Sequence, residues 1–214
     1  MQQEASDARE LVEQAARGDT DSCSKLLTLH VDRLSRMIVL RLDKRLQARV
    51  DAADVIQEVY LEAWRHLPDY LRNPSLPFYL WIRGLACHKL AELHRRHLGT
   101  KMRDARREIS LRRPTAPETS SDVLAAQLVD SVTSPSNAAV RAEEKLRLES
   151  ALSQVDSLDR EVLALRHFEH LSPAETAQVL GIKEKAAGMR YVRALRRVRD
   201  VLAESPGGLS ELPP

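Results

Sequence analysis

Aromatic residues make up only 4% of the 214-residue chain, and glycine occurs only seven times. Sheets draw on β-branched and aromatic side chains, and their hairpins on glycine-bearing turns. The scarcity of both therefore argues for packed helices of Leu, Ala, Val, Arg and Glu. Cysteine is nearly absent. Cys23 and Cys87 lie far apart and form no CxxC, which excludes a disulfide framework or a zinc ribbon and suits a reducing cytoplasm. No apolar run approaches the ~18 residues of a membrane span. The opening MQQEASDARE lacks the apolar stretch of a signal peptide, so a cytoplasmic protein with no membrane partner is expected. Charge of one sign is lacking as well: the formal net charge is only +2.

The distribution of charge carries more than its sum. Between positions 51 and 69, Asp51, Asp54, Glu58, Glu62 and Asp69 face Arg65 alone. Between 183 and 199, Lys183, Lys185, Arg190, Arg193, Arg196, Arg197 and Arg199 face Glu184 alone. An acidic and a basic element on one chain imply two different partners.

Three zones follow from the pattern. Residues 8–97 are dense in helical periodicity, residues 98–137 are rich in Pro, Ser and Thr and read as a linker, and residues 138–203 are helical again. A short helix is expected inside the linker at Val123–Val129, and a disordered tail over 204–214. In the first zone a short helix bearing Leu11 and Val12 ends near Gly18, and a second spans about Asp21–Leu42. A third follows Asp51, with Val55, Ile56, Val59, Tyr60, Ala63, Trp64 and Leu67 as its apolar stripe, and a fourth follows Pro77. Trp64 and Trp81 read as core anchors. The expected fold is all-α, with two small helical domains joined by a flexible linker.

The third zone holds a long helix over about 138–155 and another near 159–167. Next come the signs of a helix-turn-helix. Ser172 and Glu175 form a capping box, Pro173 takes the first helical position, and Ala177 suits a close helix crossing. Gly181 stops the helix and Ile182 is a buried plug. Ala187, Tyr191, Leu195, Val198 and Leu202 are expected to face inward on the following helix.

Asp54, Glu58 and Glu62 recur on the face opposite the third helix's apolar stripe, where like charges at i, i+4 cost ~0.2–0.5 kcal/mol per pair. They form either a solvated face or a docking surface for a basic partner. Lys183, Arg190, Arg193 and Arg197 lie on or beside the presumed recognition helix, where basic residues meet phosphates and base edges. Of His88, His94 and His97 only the last two share a helix face, among Arg and Lys neighbours, which argues against a metal site. No nucleophile elbow, zinc-protease motif or phosphate-binding glycine loop occurs, so no catalysis, metal or cofactor is expected.

DAADVIQEVYLEAWRHL resembles the region 2 signature of sigma factors, and PFYLWIRGLACHKLAELHRRH resembles the segment that follows it. LDREVLALRHFEHLSPAETAQVLGIKEKAAGMRYVRALRRVR resembles region 4. Their order, with nothing like region 3 between them, resembles the extracytoplasmic-function (ECF) branch of the sigma-70 family. That resemblance implies a factor that binds core RNA polymerase through its β′ clamp helices and β flap, recognises promoter DNA and helps open it. It also leaves a place for an anti-sigma factor. Asp54, Gln57 and Glu58 match the clamp-docking surface. His88, Glu92, Arg95 and Arg96 match the segment facing the minus-ten element. Tyr70, Arg72 and Asn73 belong to the loop matching the one that captures a flipped base. Lys183, Lys185, Arg190 and Arg193 match the helix that enters the minus-thirty-five major groove. His88 stands where the family usually has Asn, and Ala187 and Gly188 depart from its recognition helix. Two other classes stay open from the residues alone: a helix-turn-helix regulator acting without polymerase, and a metal-dependent hydrolase built on Asp51, Asp54 and Glu58.

Overall fold

The structure is a computed structural model that describes residues 2–47, 49–98, 121–132 and 138–204. Among them the regular elements are helices, with no strand. The chain divides into two compact units, Met1–Pro117 and Glu118–Pro214.

In the first unit α1 (Gln2–Ala16) turns at Gly18, whose φ of 94° is a left-handed value suited to glycine. The Asp19 side chain caps α2 (Thr20–Thr28) by accepting from the Asp21 N–H. The single helix expected over Asp21–Leu42 is in fact two, because the chain breaks at Leu29–His30 before α3 (Val31–Arg41). The break lets His30 bury its ring, 4% exposed, against Phe78 at 5.7 Å and Tyr79 at 5.5 Å. Periodicity ran through the break because Leu26, Leu34 and Ile38 are buried on both sides of it.

After the short α4 (Lys44–Gln47), Asp51 caps α5 (Ala52–Arg72) by accepting from the Ala53 N–H. Val55, Val59, Ala63 and Leu67 on α5 are buried, as are Ile82, Ala86 and Leu90 on α6 (Phe78–Leu98). Each fully buried Val, Leu or Ile side chain among them contributes ~1.5–3 kcal/mol. Trp64 departs from its expected role as a core anchor: it is 47% exposed. Ala63 and Leu67 occupy the seam instead, and Trp64 lies to its side. Trp81 is half-buried and stacks on Tyr70 at 4.7 Å.

The second unit begins before the expected domain boundary. The helix foreseen in the linker is α7 (Ser121–Val132), and it packs on α8 (Ala138–Ser153) with Leu124 and Ala125 fully buried. The remaining expected linker residues, 99–120 and 133–137, and the tail from 205 lie outside the described residues. Asp156 caps α9 (Ser157–Leu163), which runs into a π-helical turn at Ala164–Phe168. That turn ends with the Glu169 N–H donating to the Ala164 carbonyl at 3.0 Å. The helix-turn-helix follows. Ser172 and Glu175 make the reciprocal capping box of α10 (Pro173–Leu180), Gly181 adopts φ 65° and ψ 35°, and α11 runs from Glu184 to Glu204.

Candidate functional site

The outer face of α5 is built by its inner one. Val55, Val59, Ala63 and Leu67 face the core, so residues at i, i+3, i+4 and i+7 on the opposite side, Asp54, Gln57, Glu58 and Leu61, stand in water. Leu61 is 62% exposed, and Trp64 continues the same face one turn on. Pairing Trp64 with the seam concealed this apolar end of an acidic stripe from sequence reasoning. Glu58 is not isolated: the Lys89 ammonium on α6 lies 2.5 Å from it and 3.2 Å from Glu92. Both contacts hold the Lys89 pKa above its ordinary value, the hydrogen bond to Glu58 most of all. Glu92 also accepts from Arg96 at 2.8 Å. His88, Arg95 and Arg96 are exposed along α6.

The loop expected from Tyr70 begins later: Tyr70 and Arg72 lie in the last turn of α5, and Asn73 is its C-cap. Tyr70 is 7% exposed and its hydroxyl donates to the Leu76 carbonyl at 2.9 Å. Burial pushes its pKa up to about 12, so the hydroxyl keeps its proton. Tyr70 is therefore corrected from a candidate DNA contact to a residue that holds the 73–77 loop, its ring packed against both Phe78 and Trp81. Arg72 and Asn73 are exposed beside it, Arg72 bridging to Asp69 at 2.5 Å.

No group of three or more His, Cys, Asp or Glu side chains suited to a metal occurs among the described residues. His94 instead ties α6 to the end of α3, its Nε2 accepting from the Asp43 N–H at 3.3 Å. Burial pushes its imidazole below the ordinary value, against the pull of Asp43. Cys23 and Cys87 are both buried thiols.

In the second unit Lys183, Lys185 and Arg193 are exposed, Arg193 at 51%. Arg190 is not a free groove-facing side chain. Its Nη1 lies 2.9 Å from Asp159, a carboxylate only 1% exposed at the start of α9. Arg197 reaches the same carboxylate at 3.5 Å, and Arg193 stands 4.0 Å away. The reason is the rotation of α11. Its innermost positions are Ala187 and Ala194, 1% and 0% exposed, which puts Arg190 and Arg197 on the shoulder against α9. Leu195, expected inside, is 44% exposed at the rim of an apolar recess floored by Leu124, Leu152 and Leu163. Ile182, expected as a buried plug, is half-buried. Asp159 had no signal in the sequence beyond its place in a helical first turn.

Comparison with known proteins gives the family of both units. The family description Sigma-70 region 2 matches residues 30–97, and Sigma-70, region 4 matches residues 145–198. The ECF RNA polymerase sigma factor SigD of Mycobacterium tuberculosis is 30% identical over 94% of this chain and 85% of its own. The ECF sigma factor ShbA of Streptomyces griseus is 30% identical over 91% of this chain and 94% of its own. A solved structure of CnrH in complex with the cytosolic domain of CnrY shares the fold, with a TM-score of 0.52 and 24% identity over 93% of this chain and 99% of that one. The chain belongs to the ECF RNA polymerase sigma factors. It binds core RNA polymerase and directs promoter recognition and transcription initiation. No described helix is long and apolar enough to cross a membrane.

Proposed function

We propose that Asp54, Gln57 and Glu58, with Leu61 and Trp64 beside them, form the surface through which this sigma factor docks on the β′ clamp helices of polymerase. The observation that carries this is one continuous exposed face on α5 that joins three polar residues to two large apolar ones. Exposed large apolar side chains next to charges mark interfaces, and Trp is enriched where binding energy concentrates. The exposed α6 residues His88, Arg95 and Arg96, with Glu92, and Arg72 and Asn73 at the end of α5 face the opened minus-ten element. Lys183, Lys185 and Arg193 contact phosphates of the minus-thirty-five element. The protein acts in the cytoplasm, without catalysis of its own, and its partners include an anti-sigma factor, as the CnrH complex suggests by analogy.

The test is binding of the full chain to purified core polymerase. Glu58→Lys and Trp64→Ala should each weaken it about tenfold or more, ~1.4 kcal/mol and upward. Their thermal stability should change by less than ~1 kcal/mol, because both side chains are about half exposed. Wild-type affinity in both variants assigns the docking surface elsewhere. Tight independent DNA binding, unaffected by polymerase, would favour a regulator acting alone.

A further inference from the structure

The outward face of α11 is not uniformly basic. With Ala187 and Ala194 turned to the core, the opposite stripe runs through Lys185, Met189, Val192, Arg196 and Arg199, at i, i+4, i+7, i+11 and i+14. Met189 is 62% exposed and Val192 46% exposed. Lys185 precedes this apolar pair and Arg196 follows it, both exposed. Beside the pair sits Gly188, where an added Cβ would meet nothing within 4 Å, so the protein's own packing does not require a glycine there.

Resting on the reading of α11 as the DNA-reading helix, we propose that Met189 and Val192 read thymine methyl groups in the major groove. Charge complementarity selects the occupant: an apolar pair bracketed by cations fits a polyanion that carries apolar groups at its base edges. The thymine C5-methyl is the apolar group of that groove, and Met and Val offer it no competing polar atom. Position along the helix agrees, because the N-terminal half of a recognition helix meets base edges. Met189 and Val192 lie in that half of α11. Arg196 and Arg199 follow where the helix leaves the bases for the backbone. The missing side chain at Gly188 lets the helix approach closely.

The probe is a library of promoter duplexes randomised in the upstream element, selected with holoenzyme made from the full chain and core polymerase. Selected sites should require thymine at one position or more. Replacing those thymines with deoxyuridine removes the methyl and keeps every hydrogen bond. Affinity should then fall about fourfold per methyl, the counterpart of ~0.8 kcal/mol. Met189→Ala and Val192→Ala should bring the thymine-to-deoxyuridine ratio toward one while leaving the salt dependence unchanged. Arg196→Ala should do the reverse, lowering the slope of log K against log salt by about 0.9 and keeping the ratio. A ratio of one in the wild type overturns the proposal. So does a ratio that both alanine variants preserve, which would give the stripe to a protein partner or a second copy of the chain. If no upstream sequence is enriched at all, the underlying reading of α11 falls with it.

Discussion

Asp159 is the residue whose removal should tell most about the second unit. Its carboxylate is 1% exposed and lies within 4.0 Å of three guanidiniums, those of Arg190, Arg193 and Arg197. Without it those cations, spaced i, i+3 and i+7 on one helix, are left to repel each other. A hydrogen bond to a charged group contributes ~1.5–3 kcal/mol, and the Arg190 contact at 2.9 Å is the short one. Arg193 and Arg197 are about half exposed, so solvent screens their share to under ~1 kcal/mol together. Asp159→Asn keeps the shape and one hydrogen bond, and should cost about 2 kcal/mol. For a domain of this size that lowers Tm by about 8–16 °C. The assay is thermal unfolding of the full chain, with hydrogen exchange across α9 and α11 to assign the loss to the second unit. A double-mutant cycle with Arg190→Met isolates the pair and should return a coupling of about 1–2 kcal/mol. Suppose instead that Arg190→Met leaves stability unchanged and lowers the salt slope of promoter binding by about 0.9. Arg190 then faces DNA, and the internal role assigned to it is refuted.

Gly188→Ala should raise stability by ~1 kcal/mol, since the added methyl meets open space in a helix interior, and should weaken promoter binding by holoenzyme; unchanged promoter affinity would show that the groove does not approach the backbone there. The His94 imidazole is held below its ordinary value by burial, so the folded first unit binds fewer protons than the unfolded chain. The stability this contributes is complete above the ordinary pKa of ~6.5 and is lost as pH falls below it. The urea midpoint of the wild type should therefore drop between pH 7.5 and 5.5 by more than that of His94→Gln, which keeps an acceptor for the Asp43 N–H; equal drops would remove His94 from the cause.

Features set by a few neighbouring residues were legible in the sequence. The Ser172–Glu175 capping box, Pro173 at the helix start and the Gly181 stop depend on backbone within one turn, and all are present. So are the all-helical character and the order of the two motifs, which composition and periodicity carry. What tertiary structure alone decided is the rotation of each helix against its neighbours. A helix offers several faces wide enough to bury, and the partner chooses among them. Trp64 lies outside while Ala63 faces in, because the helices packed on α5 cover the side of the smaller residue. Tyr70 turns in to hold a loop. Arg190 is taken from the groove by Asp159, thirty-one positions away in the chain. That same rotation leaves Met189 and Val192 outside among the cations. A local spacing rule specifies which residues share a face, but only the helices packed against it determine which way the face looks.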